Sequence, residues 1–153
     1  MEVYRLTKFK YAADFNGKGA AIKGARWNSA GTEIIYFAAN RSLAMAEVAV
    51  HFSLAMMPSD YVMLTIYVPE DLEILEISTD ALPANWNIFP PPTKTQLIGD
   101  RLVSENKYAL CKIPSVVTRG DFNYLINPKH PDFLKIKVVD QEPFPFDRRL
   151  FKV

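Results

Sequence analysis

Glu47 is set among residues of a different kind. Leu43, Ala44, Met45, Ala46, Val48, Ala49, Val50, Phe52, Leu54, Ala55 and Met56 surround it in the chain, an apolar run with few breaks. Residues three, four and seven apart share a helix face, so Glu47 falls on one stripe with Leu43, Val50 and Leu54. A helix apolar on nearly every side is expected to be buried. A lone carboxylate in it is costly unless it is paired or opens on a cleft. His51, one turn on, is placed to meet it. Two readings follow: a buried Glu–His or Glu–Arg pair that serves structure alone, or a carboxylate at the floor of a site.

A second feature is the stretch Asn16-Gly17-Lys18-Gly19-Ala20-Ala21-Ile22-Lys23-Gly24-Ala25-Arg26-Trp27-Asn28. Glycine lets backbone approach a ligand closely. Lys18, Lys23 and Arg26 add positive charge, and a guanidinium can grip phosphate with two donors. Residues 1–30 carry six Lys/Arg against Glu2 and Asp14, a local balance of +4 in a chain of net +1. The same composition also describes a flexible solvated loop. The pattern is neither a Walker loop nor a G-x-G-x-x-G after a strand, so it carries no nucleotide fingerprint.

Ser115 follows Ile113-Pro114, and Asn127 sits in Asn127-Pro128-Lys129-His130-Pro131. Proline on either side stiffens such loops, although these are also ordinary turn residues. No G-x-S-x-G surrounds Ser115, so a hydrolase nucleophile elbow is unsupported. Two histidines and one cysteine, far apart, make no zinc pattern. Cys111 belongs to an apolar stretch and reads as core.

The elements that must position these residues are short. Residues 3–6, 33–38, 61–68 and 73–77 read as strands; in 61–68, Val62, Leu64, Ile66 and Val68 alternate with Tyr61, Met63, Thr65 and Tyr67. Residues 12–31 read as loop. Ser42 is placed to cap a helix over 42–57, stopped by Pro58. Residues 83–92, with Pro90-Pro91-Pro92, cannot pair in a sheet. A helix over 95–106 follows, then strands near 109–113, 124–126, 134–139 and 148–151. Strands outnumber helices without a regular βαβ order, which predicts an α+β fold with a mixed or largely antiparallel sheet.

At 153 residues and 49% hydrophobic, the chain suits one compact domain spanning 1–153. Its 18 Lys+Arg against 17 Asp+Glu give no global reason to bind nucleic acid or an acidic membrane. No apolar run reaches the length of a transmembrane helix, and Met1-Glu2-Val3-Tyr4-Arg5 lacks the pattern of a secretory signal. One cysteine excludes an internal disulfide and fits a reducing, cytoplasmic compartment.

Taken in order, the segments resemble the RES domain, named for its Arg, Glu and Ser. The resemblance is carried by Gly24-Ala25-Arg26-Trp27-Asn28, Ile35-Tyr36-Phe37-Ala38, Ala46-Glu47-Val48 with His51, Leu82-Pro83 with Trp86, and Gln96-Leu97-Ile98-Gly99-Asp100. Pro114-Ser115, Asn127-Pro128-Lys129-His130-Pro131 and Phe146-Asp147-Arg148-Arg149-Leu150 complete it. It covers essentially the whole chain; Ala25 stands where Gly is common in the family.

The resemblance implies an ADP-ribosyltransferase-like fold. It further implies a toxin of a toxin–antitoxin pair, whose partner is an Xre-like helix-turn-helix antitoxin and whose substrate, not cofactor, is NAD. Arg26, Tyr36, Glu47 and Ser115 match the characteristic positions; Asn28, His51 and Asn127 are weaker candidates for binding or support. The implied chemistry is rupture of the nicotinamide–ribose bond by hydrolysis or phosphorolysis, through a cationic sugar. Glu47 would stabilise that cation and Arg26 would hold the pyrophosphate. Tyr36 would stack on nicotinamide or ribose, and Ser115 would orient Glu47 or the nicotinamide amide. Transfer of ADP-ribose to a protein, and a binding module without catalysis, stand as alternatives. No metal, membrane or direct nucleic-acid contact is expected. The oligomeric state, a homodimer included, stays open.

Overall fold

The computed structural model describes residues 1–152. Seven strands form one sheet in the order β4-β5-β6-β2-β1-β3-β7. They are β1 (Glu2–Lys8), β2 (Ile35–Ala38), β3 (Tyr61–Tyr67), β4 (Ile74–Glu76), β5 (Leu110–Pro114), β6 (Phe122–Ile126) and β7 (Lys137–Pro143). Only β4 and β5 run parallel; all other neighbours are antiparallel. Three α-helices accompany them: α1 (Lys18–Lys23), α2 (Arg41–Ala49) and α3 (Thr93–Glu105). The fold is thus the α+β class expected from the sequence.

Alternation divides the sheet into two faces. One face is a single core of Val3, Ile35, Phe37, Val62, Leu64, Ile66, Leu110, Tyr124 and Ile126, closed by Phe15, Leu72 and Phe133. The other face is covered in two halves. Helix α3 and Trp27 lie over Cys111, Ile113 and Leu125. Helix α2 lies over Leu6, Ala38 and Met63, together with Phe146 and Phe151. Met63, in the alternate row of β3, is also buried, because α2 with Phe146 and Phe151 covers that side.

Four local expectations are corrected. The stretch 12–31 is not all loop: α1 forms within it and ends at Gly24. The helix expected over 42–57 stops at Ala49, and its cap is Asn40, whose Oδ1 accepts from Leu43 N at 2.8 Å. Beyond it the backbone tightens through His51 N→Val48 O and Phe52 N→Ala49 O bonds. This turn delivers Phe52 edge-on to Tyr61 and Phe146, both at 5.4 Å. The apolar residues past the turn are therefore not buried: Val50 is 58% exposed and Met56 71%. Pro131 opens a 3₁₀ turn over Pro131–Lys135 where the strand near 134–139 was expected to start, and β7 begins only at Lys137. Finally, Arg148–Leu150 is a 3₁₀ turn, not a strand, since Asp147 accepts from the Arg149 backbone N–H at 2.9 Å.

Candidate active site

The site lies in the seam between the two covered halves. On β6 the outward row runs Asn123, Leu125; on β2 it runs Tyr36, Ala38, with Ala38 opposite Asn123 and Tyr36 opposite Leu125. On β5 the same row is Cys111, Ile113, and Ser115 follows just past the strand end. Period-two alternation thus brings Tyr36, Asn123 and Ser115 to one face. Glu47 reaches them from α2.

Glu47 is held by neutral donors, not by a charged partner. Ser115 Oγ donates to its Oε1 at 2.8 Å, and Asn123 Nδ2 donates to the same oxygen at 2.6 Å. The Ser115 hydroxyl also accepts from the Val117 and Thr118 N–H groups, both at 3.1 Å. With its lone pairs engaged, its proton is directed to Glu47, so Ser115 is built as an orienter. Among the described residues Oε2 of Glu47 accepts no hydrogen bond, and no buried side-chain oxygen lacks a partner. Oε2 is therefore not sealed from solvent.

Loop and helix are registered against each other by a second polar pair. Asn40, the α2 cap, donates from Nδ2 to both Asp121 oxygens at 3.1 and 3.0 Å. Asp121 O in turn accepts from Ser115 N at 2.9 Å. The start of the Glu47 helix and the Ser115 loop are thus tied to each other through Asp121.

Arg26 occupies the tip of a tight turn closed by Ala25 N→Asn28 O at 2.9 Å. Gly24 makes that turn feasible: its φ is +72°, and a Cβ would lie 2.8 Å from Asn28 O. Trp27 points inward to the α3 half. Asn28 is fully buried; its Nδ2 contacts the Ala20, Ser29 and Thr32 carbonyls, and its Oδ1 accepts from Tyr36 Oη at 2.6 Å. Helix α3 fastens the turn. Gln96 Nε2 donates to Ala25 O at 3.0 Å, and Asp100 accepts from Ser29 N at 2.9 Å and Ser29 Oγ at 2.6 Å. Gly99, between them, lets the turn touch the helix backbone: a Cβ there would stand 1.8 Å from Trp27 O.

The guanidinium so presented is half committed. Arg26 Nη1 donates to Trp86 O at 2.7 Å and Ile88 O at 2.8 Å, clamping the Pro-rich loop. Nη2 and Nε take no protein acceptor among the described residues. Burial lowers the Arg26 pKa from its ordinary value, with the nearby charge of Glu47 acting in the opposite sense. No Arg26–Glu47 ion pair forms among the described residues. The two charges act on each other without direct contact. Tyr36 is raised above its ordinary pKa, chiefly by burial. Its hydroxyl is spent on Asn28, so only its ring remains for stacking.

The structure therefore gathers Glu47, Ser115 and Tyr36 on one face, with Arg26 near enough for its charge to act on Glu47. Three other candidates lie elsewhere. Asn28 is buried beneath the Arg26 turn. His51 is exposed and does not bond Glu47; it lines a groove of about 870 Å³ with Phe9, Phe52, Met56 and Tyr61. Asn127, at the far end of β6, donates to Asn106 Oδ1 at 2.7 Å and anchors the end of α3. Burial pushes the Cys111 thiol up to about 12, consistent with core. Asn123, Asn40 and Asp121 were missed; alternation with Leu125 was the available signal for Asn123. No group of three or more His, Cys, Asp or Glu placed to hold a metal occurs among the described residues, and no helix is long and apolar enough to cross a membrane.

A mixed sheet whose seam holds an Arg, a Tyr, a Glu and a Ser defines a class, and comparison with known proteins supplies it. The RES domain model matches residues 2–147, and the chain belongs to that family. It is 36% identical to Toxin Res of Photorhabdus laumondii, spanning 99% of this chain and 98% of that one. It is 34% identical to the Prs ADP-ribosylating toxin of a Sphingobium species, over 92% and 89% of the two chains. In fold it resembles a chain of the M. tuberculosis MbcT–MbcA toxin–antitoxin complex, with TM-score 0.75, 20% identity and 94% and 84% coverage.

Proposed function

We propose that this protein is the toxin of a toxin–antitoxin pair and that it consumes NAD by breaking the nicotinamide–ribose bond. The observation that supports this most is the carboxylate of Glu47, with Oε1 fixed by two neutral donors and Oε2 not sealed from solvent. Neutral donors orient a carboxylate without cancelling its charge, which a cationic transition state requires. As the C1′–N bond breaks, its electron pair goes to the ring nitrogen and nicotinamide leaves uncharged. The positive charge passes to the ribose, beside Glu47. Water, or phosphate, then bonds to C1′; with water, the displaced proton goes to solvent. Arg26 offers its free Nη2 and Nε to the pyrophosphate, and the Tyr36 ring flanks the sugar or base. NAD is the substrate, and this chemistry needs no resident cofactor.

The partner, on this reading, is an Xre-like helix-turn-helix antitoxin, and the site of action is the cytoplasm, where NAD is held. Antitoxin-free protein incubated with NAD, with and without inorganic phosphate, tests the activity by product chromatography. Free ADP-ribose or its phosphate is expected, with nicotinamide; unchanged NAD after long incubation overturns the reading. A second reading has one specific support, the name of the Sphingobium relative. With NAD labelled on the adenylate, label carried to a protein favours ADP-ribose transfer by the same site.

A further inference from the structure

Asn123 is a polar side chain whose register partners are apolar. They are Ala38 on β2 and Ile113 on β5, and its neighbour on the same row of β6 is Leu125. A half-buried amide costs free energy there unless it is hydrogen-bonded. Its bond is to Glu47 Oε1, at 2.6 Å the shorter of the two that hold the carboxylate. An amide N–H₂ donates but never ionises, so it fixes one oxygen while leaving the charge whole. A lysine or arginine in its place would neutralise that charge. Ser115 alone would leave the carboxylate free to rotate about a single contact.

We infer that Asn123 is a positioning residue for Glu47: it fixes Oε1 from the sheet so that Oε2 faces the cleft. For its effect on rate this rests on the NAD reading above; for its effect on geometry it does not. The test compares N123A, N123D and wild type in NAD turnover, thermal unfolding and crystal structure. N123A is expected to lower kcat about 10–100-fold, the loss of one hydrogen bond to a charged group, with KM changed less than about threefold. N123D keeps size and shape but replaces the donor with a second carboxylate. It is expected to be no more active than N123A and to unfold more readily than wild type, since its carboxylate would repel that of Glu47. A packing role predicts the reverse order, with the isosteric variant the more active. Unchanged kcat in N123A, or N123D more active than N123A, overturns the inference. If wild type does not cleave NAD, the function fails but the geometry is still judged: in N123A the Glu47 carboxylate must have turned. An unmoved carboxylate there overturns the inference by itself.

Discussion

The two halves of the covered face are built differently. Over β5 and β6, α3 grips its turn with polar side chains and backbone contact: Gln96, Gly99 and Asp100 fix residues 25–29. Over β1 and β3, α2 is short, caps itself with Asn40, and gives way to a turn that packs Phe52 inward but leaves Val50, Leu54 and Met56 exposed. The first half holds a cation still. The second extends a carboxylate into the seam, where the opposite half fixes it. The contrast locates rigidity in α3 and its turn, and makes Glu47 depend on residues outside its own element.

The largest expected effect tests the carboxylate. Glu47→Gln keeps the acceptor for Ser115 and Asn123 but removes the charge. NAD cleavage should fall on the order of 10²–10³-fold, with little change in melting temperature. A much lower melting temperature with normal turnover per folded molecule would show that Glu47 belongs to the core instead.

Arg26→Ala comes next, because one guanidinium both clamps a loop and keeps free donors. It removes a free fork edge and the clamp on Trp86 O and Ile88 O. Each lost charge-assisted bond is worth about 1.5–3 kcal/mol, so NAD affinity and turnover should drop together. Arg26→Lys should recover only part, since one ammonium cannot serve the carbonyls and a phosphate as a planar fork does. Equal kinetics in wild type and both variants would remove Arg26 from the site.

Gly99→Ala probes the α3 contact alone. The added methyl must displace the Trp27 carbonyl, at a cost of about 1–3 kcal/mol in thermal unfolding. Asn40→Ala probes the α2 end and should cost about 1 kcal/mol through the lost cap. If Asn40 costs more than Gly99, the rigid half has been misassigned.

The smallest effect is a pH dependence. Burial tends to raise the Asp100 pKa, but hydrogen bonds from Ser29 and Thr32 together outweigh it and the net shift is downward. A depressed carboxylate adds stability above its unfolded pKa and loses it as pH falls through the folded value. Stability lent by Asp100 should therefore vanish in acid, below the ordinary carboxylate range. Urea unfolding of wild type and D100N across that range would read it; the two curves should converge at the acid end.

Much of this was legible in the residues. An isolated carboxylate in an apolar stripe marked Glu47, and alternation marked β3. In the segment Gly24 to Asn28 the glycine's freedom and the Arg26 charge were legible, but the inward indole and the buried amide were not. What was not legible depended on long-range partners. Asn40 and Ser42 are equally good caps by type, and Asp121, far along the chain, accompanies the choice of Asn40. The end of α2 followed the pull of a distant aromatic cluster on Phe52, which Pro58 could not reveal. His51 was expected beside Glu47 on the premise of a continuous helix, and the turn at Val50 removed it.

The bonds that fix Glu47 join residues 68 and 76 positions apart. Arg26 and Glu47 are synthesised early; Ser115 and Asn123 come late, on a hairpin that must add itself beside β2. Such non-local pairings close slowly. A nascent chain emerging from the ribosome thus exposes its cation and its carboxylate long before anything aims the carboxylate. The order of translation delays competence until the final third of the polypeptide has docked, and any fragment ending before residue 123 is expected to be inert.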